Sequence, residues 1–198
     1  LTDSIADLLL TTSPDANVHL GREGIPEEKV VFVGNPMIDT LLASIDRFDA
    51  SEPLRELGFD AYQPYIVSTL HRPGNVDDPA ELATLVRALE QCAEIAPIVL
   101  PMHPRGEAAF AAAGAFEIPG IHVIEPQGYL EFMGLVRGAV AVITDSGGVQ
   151  EETTILGVPC LTLRPNTERP ITITDGTNTL VTPQSVHEQL RTQLDRRD

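Results

Sequence analysis

Residues 139–157 carry the densest chemistry in the chain. They read Ala-Val-Ala-Val-Ile-Thr-Asp-Ser-Gly-Gly-Val-Gln-Glu-Glu-Thr-Thr-Ile-Leu-Gly. The apolar run 139–143 is too short for a helix and suits a buried strand. Thr144, Asp145 and Ser146 are cap-type residues, and Gly147-Gly148 opens a segment of helical length that stops at Gly157. A strand, a glycine turn and a helix together form a phosphate cradle, because unobstructed amides and the helix dipole favour an anion there. Gly148 and Glu152 stand four apart and share one helix face, so a carboxylate lies one turn behind the cradle. There it can accept hydrogen bonds from ribose hydroxyls, as acidic residues do in dinucleotide folds. An ordinary strand–helix turn whose Glu is helped by the dipole reads the same way from these residues alone.

Two further segments offer cations. Thr69-Leu70-His71-Arg72-Pro73-Gly74-Asn75 puts an imidazole and a guanidinium after a predicted strand. Such a His can neutralise a phosphate or protonate a leaving group, or it can simply brace its loop. Arg164 and Arg169 follow another predicted strand in Arg-Pro-Asn-Thr-Glu-Arg-Pro. Arg169 can fork onto a diphosphate, or pair with Glu168 or another surface carboxylate. Pro126-Gln127-Gly128-Tyr129-Leu130-Glu131-Phe132 can present amide groups to a nucleobase, or be a helix start with aromatics facing the core. His103, in Pro-Met-His-Pro-Arg, reads as structural. No His-Glu-x-x-His, cysteine pair or Asp-x-Asp loop suggests a metal, and Asp-Ser-Gly-Gly is no hydrolase elbow.

The elements that must hold these residues alternate. Strand candidates cover 65–70, 97–101, 121–124, 139–143, 159–163 and 178–181. Helices fill 79–93, 106–113, 129–137, 147–156 and a short stretch after Pro170. Leu82, Leu85, Val86, Leu89 and Ala93 give the first of these helices an apolar stripe behind Asp77, Asp78 and Pro79. Strands separated by helices mean crossover units, hence an α/β fold with a mostly parallel Rossmann-like sheet and helices on both faces. Ligands of such sheets bind beyond the carboxyl ends of the strands. His71, His103, Gln127 and Ser146 all follow predicted strands, which points to one site. Earlier in the chain, strands at 8–12 and 30–33 flank a helix at 14–23. Gly34-Asn35-Pro36 then leads to a helix at 37–45 and a polar stretch at 46–56 that is a connector or a short helix. The terminal helix, 184–197, looks polar with little apolar face.

Composition narrows the partners. The 198 residues hold 13 basic and 29 acidic side chains, a net charge of −16, which argues against nucleic-acid and anionic-membrane surfaces. An anionic small ligand remains compatible where amides and a few Arg or His make local positive potential. With 42% apolar residues, no apolar run approaches the 18 or so a membrane span needs. Cys92 and Cys160, without metal spacing, read as reduced core residues of a cytoplasmic protein. Leu1 opens the chain with no signal peptide to read, and the start looks cut from something longer.

The chain resembles the C-terminal half of the UDP-N-acetylglucosamine 2-epimerase family, which has a GT-B-like fold of two Rossmann-type domains. The resemblance rests on Gly34-Asn35-Pro36-Met37-Ile38-Asp39, Thr69-Leu70-His71-Arg72, Asp145-Ser-Gly-Gly-Val-Gln-Glu-Glu152, Gly157-Val-Pro159 and Thr167-Glu-Arg-Pro170, in the family's order along almost the whole chain. It implies that Ser146, Gly147 and Gly148 hold the UDP diphosphate and Glu152 the ribose. It further implies that Gln127 and Phe132 serve the uracil end, Arg169 contacts substrate, and His71 is the catalytic residue assisting departure of UDP. Arg72 and His103 fall where an effector site would lie. Gly74 before Asn75, where the family often has Glu, and Pro104-Arg105-Gly106 after His103, where it often has x-Asn-Pro, are departures.

Residues 1–33 resemble the tail of the family's N-terminal domain, which carries the acid/base carboxylates, and 34–198 the UDP-binding domain. No cofactor or metal is implied, and a homodimer is implied for the full-length enzyme of cell-surface polysaccharide synthesis. The C2 proton of an N-acetylhexosamine is not adjacent to a carbonyl, so the implied route eliminates UDP across C1–C2 and adds it back after protonation from the other face. The half in hand is expected to bind UDP and to be inactive alone. Three other outcomes fit the residues: a hydrolysing relative releasing UDP and N-acetylmannosamine, a glycosyltransferase of the same architecture, and a stand-alone UDP-binding module.

Overall fold

The computed structural model describes residues 1–60, 62–102 and 104–195. The chain divides into two compact units, Leu1–Ile45 and Asp46–Asp198. The first unit starts with a one-turn helix α1 (Thr2–Ile5) that the sequence did not signal. Strand β1 (Leu9–Thr11), helix α2 (Pro14–Arg22) and strand β2 (Val30–Phe32) follow as a βαβ crossover, with β1 and β2 parallel and Leu9 opposite Val30. Helix α3 (Pro36–Ser44) begins where Pro36 fits the first turn and Asn35 accepts a hydrogen bond from the Met37 amide. A 3₁₀ turn, Ile45–Arg47, closes that stretch.

The second unit opens with α4 (Ser51–Glu56), the short helix that was one of the two expectations for this polar stretch, and Phe48 beside it is buried. Its sheet then builds through β3 (Ile66–Thr69), α5 (Pro73–Val76), α6 (Pro79–Ala93), β4 (Ile98–Pro101), α7 (Pro104–Ala112), β5 (Ile121–Ile124) and α8 (Tyr129–Gly138). It continues with β6 (Ala141–Thr144), α9 (Gly147–Leu156), β7 (Cys160–Leu163), α10 (Ile171–Thr174), β8 (Asn178–Val181) and α11 (Val186–Asp195). All pairings are parallel, in the order β5-β4-β3-β6-β7-β8. That is the doubly wound order, and it reverses direction between β3 and β6. The expected α/β class is what forms.

Strands β6 and β7 are buried at every position, which is why they read as unbroken apolar runs rather than alternating ones. Leu82, Leu85, Val86 and Leu89 of α6 bury the predicted stripe against Ile66, Ile98 and Leu100. Asp78 caps that helix by accepting from the Ala80 and Glu81 amides. One sequence expectation fails here. Helix α11 is not without an apolar face: Val186 and Leu190 are fully buried in the core and Leu194 packs on it. Three apolar residues spaced four apart in a polar sequence suffice for a narrow seam.

Candidate functional site

The reversal of strand order leaves a crevice beyond the carboxyl ends of β3 and β6, and His71, Arg72 and the turn Ser146–Gly148 meet there. Thr69 and Thr144, the last residues of these paired strands, share a hydroxyl–hydroxyl bond of 2.8 Å. Just past Thr144, the carboxylate of Asp145 is fully buried. It accepts from the backbone amides of His71 (3.1 Å) and Arg72 (2.9 Å) and from the Asn75 amide group (2.9 Å). It also stands 2.9 Å from Nδ1 of His71. The imidazole is more than half exposed, so its Nε2 is left to the crevice while Asp145 holds the other ring nitrogen. A cleft of 560 Å³ adjoins, lined by Thr69, Leu70, His71, Pro73, Val76, Asp77, Pro101 and Gly106.

Sequence reasoning grouped Thr144, Asp145 and Ser146 as caps of the following helix, and the structure divides their work. Thr144 ends β6 and accepts from the Ser146 amide (3.0 Å), Asp145 braces the neighbouring loop, and only Ser146 occupies the cap position. The Ser146 side chain makes no capping bond, and the first turn of α9 carries no acidic residue. The helix therefore presents an N-terminal dipole with no anion of its own. At Gly147 a β-carbon would stand 2.8 Å from Oε1 of Glu168, the end of a flexible side chain that would have to shift to make room. Gly157 ends the helix at φ +70°, a left-handed cap that only glycine adopts cheaply.

Glu152 does lie on the Gly148 face of α9, but it is buried and hydrogen-bonded to the Tyr129 hydroxyl. Desolvation raises its pKa above the ordinary carboxylate value, partly opposed by the tyrosine hydrogen bond. The same burial, with the Glu152 charge nearby, pushes Tyr129 up to about 12. Tyr129 starts α8, and its ring meets Phe48 edge-on at 6.0 Å. Gln127 and Phe132, on either side, are both partly buried, and the Gln127 amide donates to the Glu125 carbonyl (2.8 Å).

The loop after β7 brings the remaining cations. Of the two partners open to Arg169 in the sequence, Glu168 is not the one: Nε of Arg169 lies 3.4 Å from Glu151. Glu168 turns to Arg164 (2.6 Å) and Arg72 (3.6 Å). Arg164 in first place, with Arg72 behind it, draws the Glu168 pKa down to about 2. His103, the other residue of the expected effector pair, lies outside the described residues.

Several residues were missed in the sequence. Gln150 is fully buried, takes a hydrogen bond from Thr167 (2.7 Å) and donates to the Ser146 carbonyl (3.2 Å), tying the arginine loop to the glycine turn. Asn178 adds bonds to the Gln150 carbonyl and to Thr162. A polar residue facing inward on a core-facing helix was the signal, since buried amides are retained with partners. Among the described residues, no three His, Cys, Asp or Glu side chains converge to hold a metal ion. Nor is any helix long and apolar enough to cross a membrane.

Residues 1–198 match the family model described as UDP-N-acetylglucosamine 2-epimerase. The chain belongs to this family. It is 40% identical over 190 residues to the UDP-N-acetylglucosamine 2-epimerase of Methanocaldococcus jannaschii, covering 91% of this chain and 52% of that protein. It is 38% identical over 185 residues to the UDP-2,3-diacetamido-2,3-dideoxy-D-glucuronate 2-epimerase of Pseudomonas aeruginosa, covering 91% of this chain and 50% of that one. The M. jannaschii epimerase crystallised with UDP-GlcNAc and UDP superposes with a TM-score of 0.87 at 37% identity, over 98% of this chain and 56% of that one. The chain thus spans about half the length of the relatives it matches. The Gly34-Asn35-Pro36 motif lies in the first unit, with Asn35 and Pro36 forming the α3 cap described above.

Proposed function

We propose that the chain supplies the UDP-binding half of an enzyme that inverts C2 of a UDP-2-acetamido sugar, with UDP-N-acetylglucosamine the favoured substrate. One observation carries the reading: the Asp145-held imidazole of His71 and the N-terminus of α9, whose own first turn carries no acidic residue, face the same crevice at the strand-order reversal. Both named relatives are 2-epimerases of UDP sugars, one of them a diacetamido uronate, so the shared chemistry is the nucleotide and the C2 centre.

In this reading Ser146, Gly147 and Gly148 cradle the diphosphate, Glu152 accepts from the ribose, and Gln127 and Phe132 flank the uracil. Arg169 neutralises charge on the substrate. A base removes the C2 proton, the C1–C2 double bond forms, and the C1–O bond breaks with its electron pair leaving on UDP. His71, oriented by Asp145, stabilises or protonates that departing diphosphate, where preorganised donors count most. Re-addition after protonation on the opposite face gives the epimer. Both carboxylates closest to the turn are unsuited to the C2 proton. Asp145 is saturated by donors and Glu152 is bound to Tyr129. We therefore assign the base to a second Rossmann-like domain, of which residues 1–33 form the tail, with 34–198 as the UDP domain. Leu10, Val31 and Phe32, apolar strand residues that stay exposed, support that assignment.

A homodimeric full-length enzyme, a cytoplasmic location and a place in cell-surface polysaccharide synthesis complete the proposal. The two cysteines, free and buried, are compatible with that location. An effector role for Arg72 with His103 has the resemblance alone behind it. The full-length protein is tested with UDP-N-acetylglucosamine in deuterium oxide, without any acceptor, by proton NMR. Appearance of the UDP-linked C2 epimer carrying deuterium at C2 is the expected result. Free N-acetylmannosamine with UDP would mark a hydrolysing enzyme, and no change without an acceptor would mark a glycosyltransferase.

A further inference from the structure

The N-terminus of α9 already has an anion beside it, and that anion belongs to the protein. Oε1 of Glu168 lies 2.8 Å from where a Gly147 β-carbon would stand, against the first residue of a ten-residue helix. The same Oε1 is 3.6 Å from Nη2 of Arg72, and the other oxygen, Oε2, is 2.6 Å from Nη2 of Arg164. Two guanidinium charges and a helix dipole thus converge on the Glu168 carboxylate. A second observation shows that the carboxylate does not complete this cluster. Arg164 is nine-tenths buried, its Nη1 has no hydrogen-bond partner, and that atom stands 3.9 Å from the same Gly147 position. A buried donor without an acceptor is costly, and a larger anion at this point would supply one.

Glu168 itself is free to leave. It sits in a loop between β7 and α10, about half exposed, while the residues on either side are anchored. Thr167 is held by Gln150, and the Arg169 amide donates to Thr167. Rotation of one side chain therefore clears the pocket without moving the loop.

We propose that Glu168 is a resident stand-in for the nucleotide diphosphate: it keeps Arg72 and Arg164 poised at the α9 N-terminus and is displaced when the diphosphate binds. This rests on the UDP-binding reading and adds a competing group to it. A diphosphate brings two negative charges and more acceptors than one carboxylate, so it satisfies Arg164 Nη1 as well. The competition keeps binding reversible, because Glu168 is on hand to take back the arginines as the diphosphate departs. The two Arg–Glu contacts hold Glu168 ionised far below neutral pH, so it competes across the working range.

The test compares the 198-residue chain with Glu168→Gln, using UDP, inorganic pyrophosphate and uridine as probes in calorimetry. Removing the competing charge is expected to tighten UDP and pyrophosphate by about fivefold, the scale of a partly exposed ion pair. Uridine, which carries no phosphate, should bind both proteins equally. In the unsubstituted chain, the carboxyl carbon resonance of Glu168 should shift on saturation with pyrophosphate, which needs no variant to fold. Equal or weaker UDP binding by Glu168→Gln, or a Glu168 resonance unmoved at saturation, overturns the displacement. Absence of UDP binding by both proteins at millimolar concentration would instead overturn the nucleotide site beneath it.

Discussion

Asp145 satisfies four donors from one neighbouring loop, and none of them belongs to its own helix turn. Replacing it by Asn keeps the shape but turns an acceptor oxygen into a second donor facing donors. Asp145→Asn is expected to lower the stability of the chain by about 1–3 kcal/mol in urea unfolding. In a full-length enzyme it should lower kcat by about 10²-fold or more through the loss of His71 orientation. Unchanged stability would show the carboxylate to be dispensable to the loop. Glu152 offers a pH signature. Its folded pKa is raised, so the folded state favours the proton. Its ionisation therefore costs stability as pH rises from about 4.5 through the raised value, and an ionised ribose acceptor is present only above that value. The Tyr129 hydrogen bond lowers this pKa, so Tyr129→Phe should move the Glu152 carboxyl titration further up. Carbon-detected NMR titration reads it directly, and a downward move would contradict the Tyr129–Glu152 bond.

At the scale of elements, the N-terminus of α9 is the decisive structure. Gly147→Ala puts a methyl group against the end of the flexible Glu168 side chain rather than against backbone. The variant is expected to fold, with an unfolding temperature within a few degrees of the parent, and to bind UDP about tenfold or more weakly because the methyl fills the anion seat. A variant that binds UDP as well as the parent would move the diphosphate elsewhere. Helix α11 carries the corresponding packing prediction: Leu190→Ala should cost about 2–5 kcal/mol, measured by chemical unfolding, since Leu190 is fully buried in the core. A cost below about 0.5 kcal/mol would restore the polar, loosely attached helix that the sequence suggested.

The strands were legible because short apolar or β-branched stretches end at Pro, Gly or cap residues; β5 and β8 match to the residue although His122, Asn178 and Thr179 interrupt them. The apolar seam of α11 was not, because three positions among many polar ones leave a weak periodic signal. The one-turn helices α1 and α5 carry too few residues to show any period. At the site, His71 and the glycine turn were legible from residue type and strand-end position. The choice of partners was not, since sequence alone could not direct Arg169 to Glu151 or Glu168 to Arg164.

The chain spans about half the length of its relatives, and on the proposed division of labour binding and turnover should separate. Contacts for base, ribose and diphosphate are proposed on this half, while the C2 base is proposed on the other. The isolated chain is therefore expected to leave C2 of UDP-N-acetylglucosamine unexchanged in deuterium oxide. Exchange above the buffer blank would put a base within these 198 residues, with Asp145 the first suspect. The account stands most directly on UDP binding. Titrating the isotope-labelled chain with UDP and following its amide resonances is the decisive measurement. The account predicts saturable shifts centred on His71, Ser146 to Gly148, Glu152 and Arg169, with a Kd on the order of tens of micromolar to millimolar. No shifts at millimolar UDP, or shifts confined to surfaces away from the β3–β6 crevice, would contradict it.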